Sequence, residues 1–413
     1  MTPLRAKSLT RIGWLQGLSI PSDWTESKVK HVAPGMQAGE AITAESIEPT
    51  GTYPVYGGNG LRGYTEQKTH QGTRILIGRQ GALCGNVHLV SGEYWASEHA
   101  IVVRSGDTAD PRWLAYLLEV MNLGQYSQTA AQPGIGTAQI NALSVPVPPA
   151  QEQRAIADYL DRETARIDTF IEEQQYLIDL LRERRSAVIT HAATRGLDDV
   201  PLVDSHNLYL GDVPAHWTVS RFSREIDVNG GQVDPKEEPW AEMVLVAPNH
   251  IQSGTGRIVG RETAREQGAD SGKYVADAGQ ILYSKIRPAL NKVAVAVEDC
   301  LTSADMYAMS SRHDDDHRYL MYFMLAHPFH AFVTLASLRV KMPKINRNEL
   351  GEAPLLRPPV DEQRRIAAYL DEQTMKIDTL IAETERFIEL ARERRCALIT
   401  AAVTGQIDVR EVA

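Results

Sequence analysis

Cysteine is scarce and scattered. The 413 residues hold three, Cys84, Cys300 and Cys396, too few and too far apart for a disulfide framework or a clustered metal site. They read as reduced packing residues. No apolar run approaches the ~18 residues a membrane span needs, and Met1-Thr2-Pro3-Leu4-Arg5 lacks the apolar core of a secretion signal. A cytoplasmic protein with no membrane partner is the expectation. Positive charge is also short: 43 Lys and Arg against 53 Asp and Glu, a net charge of −10. A uniformly basic surface is excluded, whereas a local basic face is not. Segments 148–200 and 358–413 carry −7 of that total, so the rest of the chain is near neutral.

Those two acidic segments are copies of each other. Aligned without gaps, 148–198 and 358–408 are identical at about 28 of 51 positions, and a repeat of this size governs the architecture. Each opens on Pro-Pro, at Pro148-Pro149 and Pro358-Pro359, a firm helix boundary because residues before Pro avoid the α region. Behind it Leu160, Ile167, Gln174, Leu181 and Val188 recur every seven residues, as do Leu370, Ile377, Thr384, Ala391 and Leu398. Phe170, Leu177, Ile171 and Ile178 widen the first stripe, and Leu380, Phe387, Ile381 and Ile388 the second. A broad apolar stripe of period seven marks a helix packed lengthwise on another. A helical hairpin inside one core would give the same stripe, but two near-copies pack most economically on each other about an approximate two-fold axis. A kink is expected near Asp161–Thr164 and Asp371–Thr374, and a long part of roughly thirty residues would span ~45 Å. Gly196 and Gly405 stand where C-caps are wanted.

The stretches between the helices begin alike, Ile20-Pro21-Ser22-Asp23-Trp24-Thr25 and Val213-Pro214-Ala215-His216-Trp217-Thr218, and then diverge. Residues 1–17 read as a loose arm. Arg74–Ile77, Ala100–Val103, Glu242–Val246 and Gln280–Ser284 read as strands. Tyr56–Gly60 reads as a turn, Pro111–Leu118 and Tyr319–Leu325 as short helices, and Ile140–Val147 as an extended run. Each body is thus mixed α/β with a mostly antiparallel sheet. The organisation is 1–147, 148–200, 201–357 and 358–413: a body, a helical spacer, a second body and a second spacer. The fold class is α+β, two α/β bodies separated by two long antiparallel helices with a pseudo-two-fold repeat.

The doubled motifs Pro-Pro-x-x-Glu-Gln, Ile-Ala-x-Tyr-Leu-Asp, Ile-Asp-Thr, Arg-Glu-Arg-Arg and Ile-Thr-x-Ala resemble those of the specificity subunits of type I restriction-modification systems. Trp24, Trp217, Pro54–Gly60 and Ser284–Pro288 fit the same resemblance, which covers the whole chain. It implies a subunit without catalysis or cofactor of its own. Each body would be a target-recognition domain reading one half of a gapped double-stranded DNA sequence. The spacers would set the gap and dock two modification subunits that use S-adenosylmethionine to methylate adenine. Restriction subunits would add ATP- and Mg²⁺-dependent translocation and cleavage.

Residues suited to base edges and phosphates are Arg, Lys, Asn and Gln on loops. In the first body the loop candidates are Asn59, Arg62, Lys68, Arg79, Gln80, Gln132 and Gln139, with Tyr64 beside them; in the second, Lys285, Arg287, Asn291, Lys292, Arg339, Lys341, Lys344 and Asn346. A solvated surface role is open for each. The competing class is a self-contained DNA methyltransferase or nuclease of the same architecture. Against it, the chain has no phosphate-cradling Gly-x-x-x-x-Gly-Lys-Ser/Thr loop and no Asn-Pro-Pro-aromatic motif. Gly78–Ala82 reads as a strand-turn, His313–His317 as a solvated acidic loop, and Glu98-His99 as a structural pair.

Overall fold

Two helices dominate the chain. In the computed structural model, which describes residues 6–127, 133–228, 230–338 and 343–411, they are Ala150–Arg195, 46 residues, and Val360–Val403, 44 residues. Each begins directly after its Pro-Pro and ends at a left-handed glycine, Gly196 at φ 78° and Gly405 at φ 70°, the conformation a side chain would oppose at that cap. The expected division into a short helix and a long one is not seen, since both helices run unbroken through Asp161–Thr164 and Asp371–Thr374. The Thr164 and Thr374 hydroxyls donate back to the carbonyls of Leu160 and Leu370, both at 2.7 Å. The polar groups that would have favoured a break are satisfied within the helix.

The chain divides into two units, Met1–Gln174 with Arg386–Ala413, and Gln175–Glu385. Each unit therefore owns the first half of one long helix and the second half of the other. In the first unit a four-stranded antiparallel sheet runs in the order Gly35–Ala38, Ala100–Arg104, Arg74–Gly78, Val87–Val90. In the second the same order is built from Ile226–Val228, Met306–Ser311, Ile281–Ser284 and Val293–Val295. A smaller sheet in each unit contains one parallel pair, Tyr53–Gly57 beside Glu93–Ala96 and Leu245–Val246 beside Cys300–Thr302. The expected strand Glu242–Val246 is thus only its last two residues, because Trp240–Glu242 coils into a 3-10 turn. Ile140–Val147 is likewise not extended throughout. Thr137–Ala142 is helical and only Ser144–Val147 pairs, against Thr25–Lys28. Of the expected loose arm, residues 1–17, the described part from Ala6 is not loose: Lys7–Leu9 pairs with Ser19–Pro21, and Ile12 and Leu15 are buried.

The first core packs Trp113, Leu114 and Leu117 on Ile75, Ile77 and Ile101, with Ile156 and Leu160 from one long helix and Ile399 and Val403 from the other. The second packs Tyr319, Leu320 and Phe323 on Ile281, Tyr283 and Met309, with Ile366 and Leu370 and then Ile189 and Ala193. No single helix among the described residues is long and apolar enough to cross a membrane.

The doubled Glu-Gln is a clamp. Gln153 accepts from the Asp110 N–H at 2.9 Å and donates to the Pro148 carbonyl at 2.9 Å. Gln363 does the same to Asp316 and Pro358, both at 2.9 Å. Asp110 and Asp316 cap the short helices through Oδ1 bonds from the N–H groups of Arg112 and Arg318. Arg112 and Tyr116 then reach Asp161 at 2.8 and 2.9 Å, and Arg318 and Tyr322 reach Asp371 at 2.8 Å each. Each short helix is thereby tied to the start of a long helix by the same five side chains. The last Arg of each Arg-Glu-Arg-Arg ties the long helices to each other within a unit: Arg395 to Asp168 at 3.1 Å in the first, Arg185 to Asp378 at 2.9 Å in the second.

The apolar stripe is two stripes. Leu160, Ile178, Leu181, Leu370, Ile377 and Ile388 are buried, and Ile167, Ile171 and Ile381 are partly so. Phe170, Leu177, Leu380 and Phe387 are 40–55% exposed, as are Leu180 and Leu390 at 43%. In the first unit Ile167, Phe170, Phe387 and Leu390 line a groove of about 410 Å³.

Candidate nucleic-acid interface

In each unit one strand of the larger sheet runs on into a loop that is pinned from two sides. In the first unit the Arg79 N–H donates to the His99 carbonyl at 2.9 Å, Gly81 N–H to Pro133 at 3.0 Å, and Ile135 N–H to Arg79 at 3.0 Å. In the second the Lys285 N–H donates to Asp305 at 3.0 Å, Arg287 N–H to Pro343 at 2.8 Å, and Ile345 N–H to Lys285 at 2.9 Å. The two frames are the same object, with Arg79 standing where Lys285 stands. That correspondence fixes the rest: Gly81 answers to Arg287, Gly134 to Lys344, and the helix caps Gly136 and Gln139 to Asn346 and Glu349.

The first unit adds a hairpin, Tyr53–Gly57 and Gly60–Thr65, whose turn lies on this frame. A Cβ on Gly58 would sit 3.0 Å from the His99 carbonyl, and one on Gly78 only 2.3 Å from that of Gly58, so this approach requires glycine at both places. Asn59, Arg62, Arg79 and Gln80 gather here. The Asn86 side-chain amide donates to Asn59 Oδ1 at 2.9 Å, and the Arg62 side chain crosses over Gly57. Neither Arg62 nor Arg79 has an ion-pair partner among the described residues. Tyr64 and Lys68 lie apart, at the other end of the hairpin. Tyr64 pairs through its backbone with Glu48, while Lys68 is paired with Glu93 and lies over the Tyr53 ring at 5.8 Å. Gln139 serves inside the fold, accepting from the Gly136 N–H at 2.7 Å and donating to the Tyr126 carbonyl at 3.2 Å.

In the second unit Lys285, Arg287 and Lys344 share the frame, and none has an ion-pair partner among the described residues. Lys292 is turned inward onto the Pro248 carbonyl at 2.5 Å. Asn291 donates to the Leu325 carbonyl at 3.1 Å, and Asn346 caps Arg347–Gly351 through the Glu349 N–H at 2.9 Å. Gln132, Arg339 and Lys341 lie outside the described residues.

Residues the sequence did not single out also line these frames. His88 lies 3.5 Å from where a Gly60 Cβ would be, and its Nε2 is buried without a hydrogen-bond partner among the described residues, as is Oε2 of Glu98, the residue before His99 of the frame. Burial lowers the His88 pKa, with Glu119 opposing. In the second unit Arg347 and Lys285 flank Tyr307 at 5.8 and 5.2 Å from the ring centre. Burial, then repulsion from Lys344 and Arg347, lowers the Lys285 pKa, with Asp305 opposing.

His313–His317 is not a solvated acidic loop. Asp315 is buried, ion-paired with Arg357 at 3.1 Å and bonded by Gln363 at 2.7 Å, and Asp316 is a helix cap. Burial opposes ionisation of Asp315, but bonds from Ser311, Gln363 and Arg357 outweigh it and hold its carboxyl below the usual range. Among the described residues no three His, Cys, Asp or Glu side chains gather as a metal site.

Residues 21–176 match the family described as the type I restriction modification DNA specificity domain. The chain is 30% identical to the Type I restriction enzyme EcoDI specificity subunit of Escherichia coli over 67% of its own length and 65% of that protein's. It is 42% identical to the EcoprrI specificity subunit of the same organism over 36% of this chain and 38% of that one. It therefore covers less than two thirds of either relative. Its fold is similar to that of a chain solved in a study of complex assembly and conformational transition of the type I R-M system, with a TM-score of 0.68 and 16% identity over 94% of this chain and 100% of the other. Residues 21–176 are thus a type I restriction modification DNA specificity domain, and the chain as a whole is similar to type I restriction-modification specificity subunits.

Proposed function

We propose that the chain is the sequence-reading subunit of a type I restriction-modification complex. Each unit reads one half of a double-stranded, gapped DNA target through its pinned loop frame. The long helices set the gap and offer the exposed stripe of Phe170, Leu177, Leu380 and Phe387 to two modification subunits. Those subunits bring S-adenosylmethionine and methylate adenine, restriction subunits add ATP- and Mg²⁺-driven cleavage, and this chain contributes no catalysis of its own. The observation that carries the reading is the pair of frames: the scaffold is duplicated bond for bond, whereas the side chains presented on it differ. A conserved frame with changed side chains is what reading two different half-sites requires. Exchanging residues 201–357 for another such body should change one half of the methylated motif and leave the other half and the gap intact. A motif altered in both halves would sink the reading.

A further inference from the structure

We propose that Lys285, Lys344 and Arg347 form a clamp for the DNA phosphate backbone in the second unit, with no counterpart among the described residues of the first, so that the two units hold DNA unequally. The inference rests on the proposed DNA-reading role and adds what these cations touch. Around Tyr307 the second unit gathers Lys285 and Arg347, each over the ring, and the bridge between Ile286 and Lys344 brings a third cation to the same loop. Among the described residues Asp305 acts on Lys285, and Glu349 accepts from the Asn346 N–H at 3.1 Å in the helix cap.

The equivalent positions of the first unit are Arg79, Gly134 and Thr137, with Ile101 in place of Tyr307. Three cations and an aromatic platform thus stand where one cation and an aliphatic residue stand in the other unit. Ammonium groups on flexible stems hold phosphate as point charges. Mutual repulsion within the cluster is relieved by an anion. A clamp on phosphate acts on any sequence, and discrimination in this half-site falls to the other side chains of the frame.

The test uses the full chain assembled with its modification subunits. Binding to a duplex carrying the target and to a scrambled duplex is followed over a range of salt for the wild type, K285M/K344Q, K285R/K344R and R79Q. The expected result is that K285M/K344Q weakens both duplexes by the same factor and flattens the log–log salt slope by about two. R79Q should flatten it by no more than about one, and K285R/K344R should keep the wild-type slope. The methylated motif should be unchanged in both lysine double variants. An unchanged slope in K285M/K344Q, or its motif relaxed in one half-site, would overturn the clamp. If the wild type itself shows no preference for target over scrambled duplex, the DNA-reading role fails instead.

Discussion

The two units solve one packing problem with opposite chemistry. Where the entry strand, the short helix and the last strand meet above the long helix, the second unit places Glu225, Asp315 and Arg357; Arg357 reaches both acids at 3.1 Å. The first unit places Val32, Ala109 and Val147 at the same points of the same ladders. The glutamine clamp beneath makes the same two backbone bonds in both. The scaffold therefore tolerates an ionic or an apolar filling, provided the backbone groups at the helix start remain bonded. A buried ion pair is weak evidence for stability by itself, but breaking one is costly.

That difference can be broken from either side. Arg357→Ala strands two carboxylates and should cost about 3–5 kcal/mol, whereas Val147→Ala should cost about 1 kcal/mol; thermal or denaturant unfolding compares them. Gln363→Ala and Gln153→Ala should each cost about 2–4 kcal/mol, since each leaves a backbone N–H and a carbonyl without partners. Gln363→Ala should be the worse, because Gln363 also bonds Asp315. Replacing the whole ionic set, E225V/D315A/R357V, should leave stability at neutral pH within about 2 kcal/mol of the wild type.

The same triple variant sharpens the comparison in acid. The Asp315 carboxyl is held low as described, and Glu225 is held low chiefly by the Ser220 hydroxyl, with Arg357 and His313 assisting. A depressed carboxylate contributes stability above its unfolded pKa and loses it as pH falls through the folded value. The second unit should lose hydrogen-exchange protection before the first on acidification, and the triple variant should abolish that order. Equal loss in both units of the wild type would contradict it. The smallest effect on stability belongs to the exposed stripe: Phe387→Ala should change unfolding by no more than about 0.5 kcal/mol, yet reduce co-purification of a modification subunit.

The helices were legible in the sequence because their residues do two jobs at fixed spacing, packing every seventh position and clamping at Gln153 and Gln363. Recognition bodies were legible only in outline. Their shared frame is made of main-chain bonds, which leave little trace in residue identity: Arg79 and Lys285 match, but Gly81 and Arg287 do not. One signal was present and unread, the Asp-x-Arg-aromatic-Leu-x-Tyr run at Asp110–Tyr116 and again at Asp316–Tyr322, which registers the two bodies on each other. The unbroken helices have a local cause, since the Thr164 and Thr374 hydroxyls bond carbonyls of their own helix. The segment from Lys7 is held by strand pairing and buried Ile12 and Leu15, and Asp315 by Arg357 and Gln363, distant in sequence.

The most direct test of the central claim is adenine methylation across the host genome with and without this gene. The account predicts loss of one motif, gapped and asymmetric, with each half assigned to one unit by body exchange. Loss of a continuous or palindromic motif, or no loss beside a co-purifying methyltransferase, would contradict it.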